Sequence, residues 1–145
     1  MARLKVHIDR LTENIETINA FMRKHGKEWS LVVKVLGTDK AVLTKLLQHE
    51  AILGTHSIAV SQWKSLRMVK DLNPSLRTMY IKPPSPKNVS YIVKYADISL
   101  NTTLSTIKAL SDEAVKQNKT HQIIVMIEMG ELREGIKREG LMPFY

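Results

Sequence analysis

Short runs of strand-forming residues alternate with helix-spaced segments along all 145 residues of the chain. Such alternation leaves few folds open, because strand, covering helix and second parallel strand together make one crossover unit. The strand-like runs span residues 4–8, 31–36, 57–61, 78–81, 97–101 and 122–129. Behind the first run, Leu11, Ile15, Ile18 and Met22 recur at helical spacing, with Asp9 in an N-cap position and Gly26 at the far end. Thr38 or Asp39 opens a second helix through Val42, Leu43, Leu46 and Leu47, which Gly54 ends. Residues 63–72 make a third, stopped by Asn73 and Pro74. Pro83 and Pro84 stop the 78–81 strand, and Pro86 suits the first turn of a helix through Val89, Ile92 and Val93. Thr102 or Thr103 caps a helix carrying Leu104, Ile107, Leu110 and Val115, ended by Asn118. The order predicts an α/β protein of parallel (β/α) units. An open doubly wound sheet satisfies it, and so does part of a (β/α)8 barrel. A whole barrel takes about 250 residues, so a barrel reading makes this an incomplete TIM-type one.

The net charge of +8 raises nucleic acid as a partner. Its distribution argues against one, since lysines and arginines are scattered among glutamates with little aromatic interleaving. With no cysteine there is neither a disulfide framework nor thiolate chemistry. No apolar run approaches a membrane span, and Met1-Ala2-Arg3 leads into a strand-like segment, so a cytoplasmic location is expected. The five histidines are dispersed and none is paired at zinc spacing, so no metal is expected. Phosphate-loop, dinucleotide and nucleophile-elbow patterns are absent.

The 31–36 run is unusual in carrying a lysine. Alternation would set Val33 and Val35 on one face and Val32, Lys34 and Leu36 on the other, both faces apolar. An amine there is partly desolvated, which favours the neutral form that attacks a carbonyl. The alternative is a stem packed on the sheet with its head in water. In either architecture ligands bind at the carboxyl ends of the strands. Lys34 and Gly37, Ser61 and Gln62, Lys82, Asn101, and the 130–133 loop with Arg133 would therefore share a rim. For Arg133 the plain alternative is a solvated loop arginine. Lys82 reads better as a lysine ending a strand, and Asn101 as a turn or cap.

Four segments, in order, resemble the N-terminal part of the alanine racemase family. They are residues 7–15, residues 32–35 around Lys34, Ile58-Ala59-Val60 with Leu66-Arg67, and residues 127–136 around Arg133. The resemblance implies residues 1–145 as the N-terminal portion of a pyridoxal-phosphate-binding (β/α)8 barrel, with the remaining barrel strands and a C-terminal β domain absent. It places Lys34 on the first barrel strand, residues 4–8 outside the eight, and five barrel strands in this chain. It implies an amino-acid racemase, with Lys34 as catalytic residue holding pyridoxal phosphate, and Arg133 beside the cofactor's phenolic oxygen and the substrate carboxylate. In the family the opposite face is served by a tyrosine from a partner subunit's C-terminal domain; no residue here matches it, and Tyr145 is not assigned. The chain departs from the alanine racemase pattern after the lysine, at Val35-Leu36-Gly37-Thr38-Asp39. It departs again at Glu128-Met129-Gly130-Glu131, and at Met126, where some members carry a carbamylated lysine. These departures point away from strict alanine specificity, and the Lys34-Val35 start and the Leu132-Arg133-Glu134-Gly135-Ile136 ending are more similar to the ornithine racemase branch, or to relatives of it. The implied partner is a small amino-acid substrate, with no membrane and no nucleic acid. The exposed edges of an open barrel predict a homo-oligomer, and the chain alone is expected to be inactive. A pyridoxal-phosphate-binding relative that does not racemise, or that cleaves or dehydrates D-amino acids, is the alternative; a basic nucleic-acid-binding module ranks below it.

Overall fold

The computed structural model describes residues 5–36 and 39–142. Helix α1 (Ile8–Lys24) leads into β1 (Ser30–Val32), α2 (Lys40–Leu47) and a 3-10 turn at Glu50–Gly54. Then come β2 (Ser57–Val60), α3 (Trp63–Leu72), β3 (Thr78–Tyr80) and α4 (Val89–Tyr95). Last are β4 (Ile98–Asn101), α5 (Leu104–Lys116) and β5 (Gln122–Val125). The five strands pair in chain order, every neighbour parallel. That order decides the architecture. A doubly wound sheet reverses its strand order at a switch point, whereas repeated right-handed crossovers in one direction keep all helices on one face, as in a barrel. The chain therefore forms an incomplete (β/α) barrel, with β1 and β5 at its open edges.

The two faces of the sheet are filled differently. Ile58 and Val60 of β2 pack with Leu66, Val69, Ile92 and Leu110 into the core under the helices. Ala59, Met79 and Ile98, which share a register row, cluster on the opposite, inner face. Asn19 of α1 ties the helical layer together. Its Nδ2 donates to the Ala51 carbonyl at 2.7 Å, and its Oδ1 accepts from Trp29 Nε1 at 2.9 Å.

Several boundaries differ from expectation. Residues 5–7 form no strand, and Ile8 already begins α1; Leu4 lies outside the described residues. A lone extended run has no ladder to join, and none of the five strands borders it. The N-cap is accordingly His7 rather than Asp9, which sits in the first turn where its charge suits the helix dipole. The lysine strand ends at Val32. After one more ladder bond, from the Val33 amide to the Ala59 carbonyl at 3.1 Å, the chain turns, and the Leu36 amide bonds back to Val33 at 3.0 Å. Val33 is 3% exposed and Val35 97%, so the expected alternation stops there. Asp39 caps α2, its carboxylate accepting from the Val42 amide at 3.0 Å; Gly37 and Thr38 lie outside the described residues. Gly54 ends the 3-10 turn rather than α2, packed so tightly that a Cβ would run into Asn19. The 122–129 run, richest in β-branched residues, gives only a four-residue edge strand. Leu104 and Val115 of α5 face solvent, while Leu110 and Ala114 are buried. Among the described residues no helix is long and apolar enough to cross a membrane.

Candidate active site

The carboxyl ends of the parallel strands form one rim. Lys34 stands on it in the turn after β1, exposed rather than desolvated, because the ladder has ended before its side chain is reached. Among the described residues its amine makes no hydrogen bond or ion pair. Lys34 borders a cavity of about 370 Å³ between the ends of β1 and β2 and the start of α2, with Val6, Asp39, Ser61 and Gln62 on its walls. Val6, without joining the sheet, thus contributes to the wall of the cavity that the lysine borders.

Arg133 stands on the same rim at the other edge, in the loop that follows β5. That loop is closed at its base by backbone alone. Ile127 bridges Ile136, the Glu128 amide bonds the Ile136 carbonyl at 3.0 Å, and the Ile136 amide bonds the Met126 carbonyl at 2.8 Å. Gly130 (φ +116°), Leu132 (φ +53°) and Gly135 (φ +143°) all take positive φ. At Gly135 a Cβ would also lie 2.6 Å from the Glu128 nitrogen, so only glycine closes the base. Inside the loop, Glu128 Oε1 accepts from the Gly130 amide at 2.5 Å and the Leu132 amide at 3.0 Å. The Leu132 and Gly130 amides hold that carboxyl below the ordinary glutamate range, those of Glu131 and Arg133 adding to the effect. The Arg133 guanidinium is exposed and has no partner among the described residues.

The structure thus brings Lys34 and Arg133 to one rim without bringing them into contact, since they occupy opposite edges of the sheet. Lys82 is exposed after β3, as its plain reading expected. Asn101 is neither turn nor cap. It is fully buried at the end of β4, donating from Nδ2 to the Ser99 carbonyl at 2.9 Å and to Ser99 Oγ at 3.0 Å. Ser99 Oγ in turn bonds His121 Nε2 at 2.9 Å, in a polar chain facing the helices rather than the rim. In the sequence Glu128 figures only within the Glu128-Met129-Gly130-Glu131 departure, and no local pattern there announces that its carboxylate binds the loop amides.

A one-directional parallel sheet, with Lys34 and Arg133 exposed on its carboxyl rim, defines a protein of the (β/α) barrel class. The chain belongs to the alanine racemase family: residues 6–145 match the family described as alanine racemase, N-terminal domain. It is 34% identical over 133 residues to the ornithine racemase of Acetoanaerobium sticklandii, a match covering 92% of this chain and 36% of that protein. The expected family and branch are both borne out. The chain spans about a third of the length of that relative. Alanine racemase from Bartonella henselae, solved with covalently bound pyridoxal phosphate, superposes with a TM-score of 0.69 at 20% identity, covering 92% of this chain and 38% of that one. PipY of Synechococcus elongatus PCC7942, solved with pyridoxal phosphate bound, gives a TM-score of 0.69 at 12% identity, covering 88% and 60%. These two likenesses show the fold.

Proposed function

We propose that this chain is the N-terminal, lysine-bearing portion of a cytoplasmic, pyridoxal-phosphate-dependent amino-acid racemase acting on a small substrate of the ornithine kind. The observation that carries the reading is Lys34, an exposed and unpaired amine beside a cavity at the carboxyl rim, in a chain 34% identical to an ornithine racemase. The residues present fit the cofactor. A free amine suits its aldehyde, and a free guanidinium suits a phenolic oxygen or a carboxylate. When bound, pyridoxal phosphate supplies an electron sink for the charge that builds at the substrate Cα.

In this reading Lys34 holds the cofactor through its amine. The same amine would move a proton on one face of the substrate Cα. Arg133 would hold negative charge on the cofactor's phenolic oxygen and on the substrate carboxylate. Racemisation also needs a group on the opposite face, and none of the described residues is assigned to it. The 145-residue chain alone is therefore expected to take up cofactor without turning substrate over. The unpaired edges of β1 and β5 support a homo-oligomer.

Borohydride reduction in the presence of pyridoxal phosphate, followed by peptide mapping, tests the assignment. A reduced adduct concentrated on Lys34 and lost in Lys34→Ala is expected. Labelling spread evenly over the other lysines would overturn it. Product analysis with a longer form of the protein separates racemisation from cleavage or dehydration of a D-amino acid.

A further inference from the structure

The loop carrying Arg133 is built around an anion that belongs to the chain itself. Three positive-φ residues bend it, and two of its amides converge on one oxygen of Glu128. Here the carboxylate is engaged by backbone amides, and among the described residues neither Glu128, Glu131 nor Glu134 forms an ion pair with Arg133. The arrangement settles two matters together. The amides of a strained turn are satisfied, and the guanidinium is left without an internal partner. Leu132 is the telling residue, because a leucine holds a left-handed conformation only where its surroundings over-determine it. Its amide bond to Glu128 supplies that constraint.

We propose that Glu128 is the positioning residue of this site, fixing through the Gly130 and Leu132 amides the loop that presents Arg133 to an anionic group of the cofactor or substrate. The part that concerns binding rests on the reading of Arg133 given above; the part that concerns the loop does not. Glu128 itself contacts no reacting atom in this scheme. Its carboxylate is occupied within the loop.

The test uses the whole chain with two readouts: amide exchange across residues 128–136, and affinity for pyridoxal phosphate followed by absorbance. Glu128→Ala should speed exchange at Gly130 and Leu132 by about tenfold or more, since charge-assisted bonds are lost. Glu128→Gln, which keeps one acceptor oxygen, should fall between it and the parent. Glu128→Ala and Arg133→Ala should each weaken pyridoxal phosphate binding, and the double variant should bind no more weakly than Arg133→Ala alone, as for residues acting through one group. Unchanged exchange in both Glu128 variants overturns the proposal, as do losses of affinity that add in the double variant. If Arg133→Ala binds the cofactor as tightly as the parent, the reading of Arg133 fails, and the binding role of Glu128 fails with it. The exchange data then still decide separately whether Glu128 holds the loop.

Discussion

One oxygen of Asp97 joins three elements of the sheet-and-helix layer. Its Oδ2 accepts from Lys70 Nζ of α3 at 2.9 Å, from the Thr78 amide of β3 at 2.7 Å and from Thr78 Oγ1 at 3.0 Å, just before β4 begins. Burial alone would raise the Asp97 carboxyl, but the Lys70 and Thr78 hydrogen bonds outweigh it and hold the group below the ordinary aspartate range. A folded-state value below the unfolded one contributes stability that is present above about pH 4 and lost as the pH falls through the folded value. Asp97→Asn should therefore cost about 1–2 kcal/mol at pH 7, the lower end reflecting its partial exposure, and much less at pH 3. Urea titrations at the two pH values measure the difference. His121 acts in the same direction at higher pH. Burial lowers it, against the Ala96 carbonyl bond at 3.1 Å, so the neutral ring is favoured in the fold. Its contribution is present above about pH 6.5 and lost as the pH falls through the folded value, and a proton NMR titration should find the ring's midpoint below 6.5. None of these contacts was legible in the sequence, because Lys70 and Asp97 are 27 residues apart and no local pattern records the pairing. Lys34 and Arg133 were legible, through motif order and the rule that ligands gather at strand ends. The exposure of Lys34 was not, because it depends on where the ladder stops.

Elements whose ends are set by local chemistry were read closely, and those whose ends are set by neighbours were not. Helix α3 runs from Trp63 to Leu72 as expected, since Asn73 and Pro74 stop it wherever it packs. The left-handed residues after α1 and α5, Gly26 at φ +61° and Asn118 at φ +49°, likewise announce those helix ends. Strands β1 and β5 were read too long, because apolar alternation cannot say how many residues find a partner. The hydrogen bond from α1 to the 3-10 turn was invisible for a related reason: Asn19 makes it across 32 residues, beside the apolar packing of Ile15 with Ala51 and Ile52. Asn19→Ala would strand the Ala51 carbonyl and the Trp29 indole N–H in a nearly dry position, Asn19 being 9% exposed. The cost should be about 2 kcal/mol. A thermal melt should show a fall of roughly 5–8 °C with the helical signal otherwise intact. A change under one degree would mean that α1 is held by apolar packing alone.

At the scale of the molecule, the row along the inner face shows what remains uncovered. In its middle Ala59, Met79 and Ile98 are 1%, 9% and 2% exposed. At the edges the same face carries Val32, paired with Ala59, and Ile124, paired with Leu100, at 52% and 43% exposed. On the outer face of β5, Ile123 is 41% exposed. Each edge strand also presents unpaired backbone groups, and apolar side chains beside an open edge are the usual prelude to edge-to-edge association. The 145-residue chain should therefore self-associate as its concentration rises, and light scattering should find a mass above the 16.5 kDa of one chain. The effect should reside in the edges and not in the basic surface, so added salt should strengthen it rather than disperse it. Ile124→Lys places a charge on the inner face of the β5 edge at a half-exposed position. It should shift the chain towards the monomer with less than about 1 kcal/mol lost in a urea titration. A monomer at high concentration in the parent chain would show that these edges are closed by the chain's own packing. Association unaffected by Ile124→Lys and dispersed by salt would place the contact on the charged helical face instead.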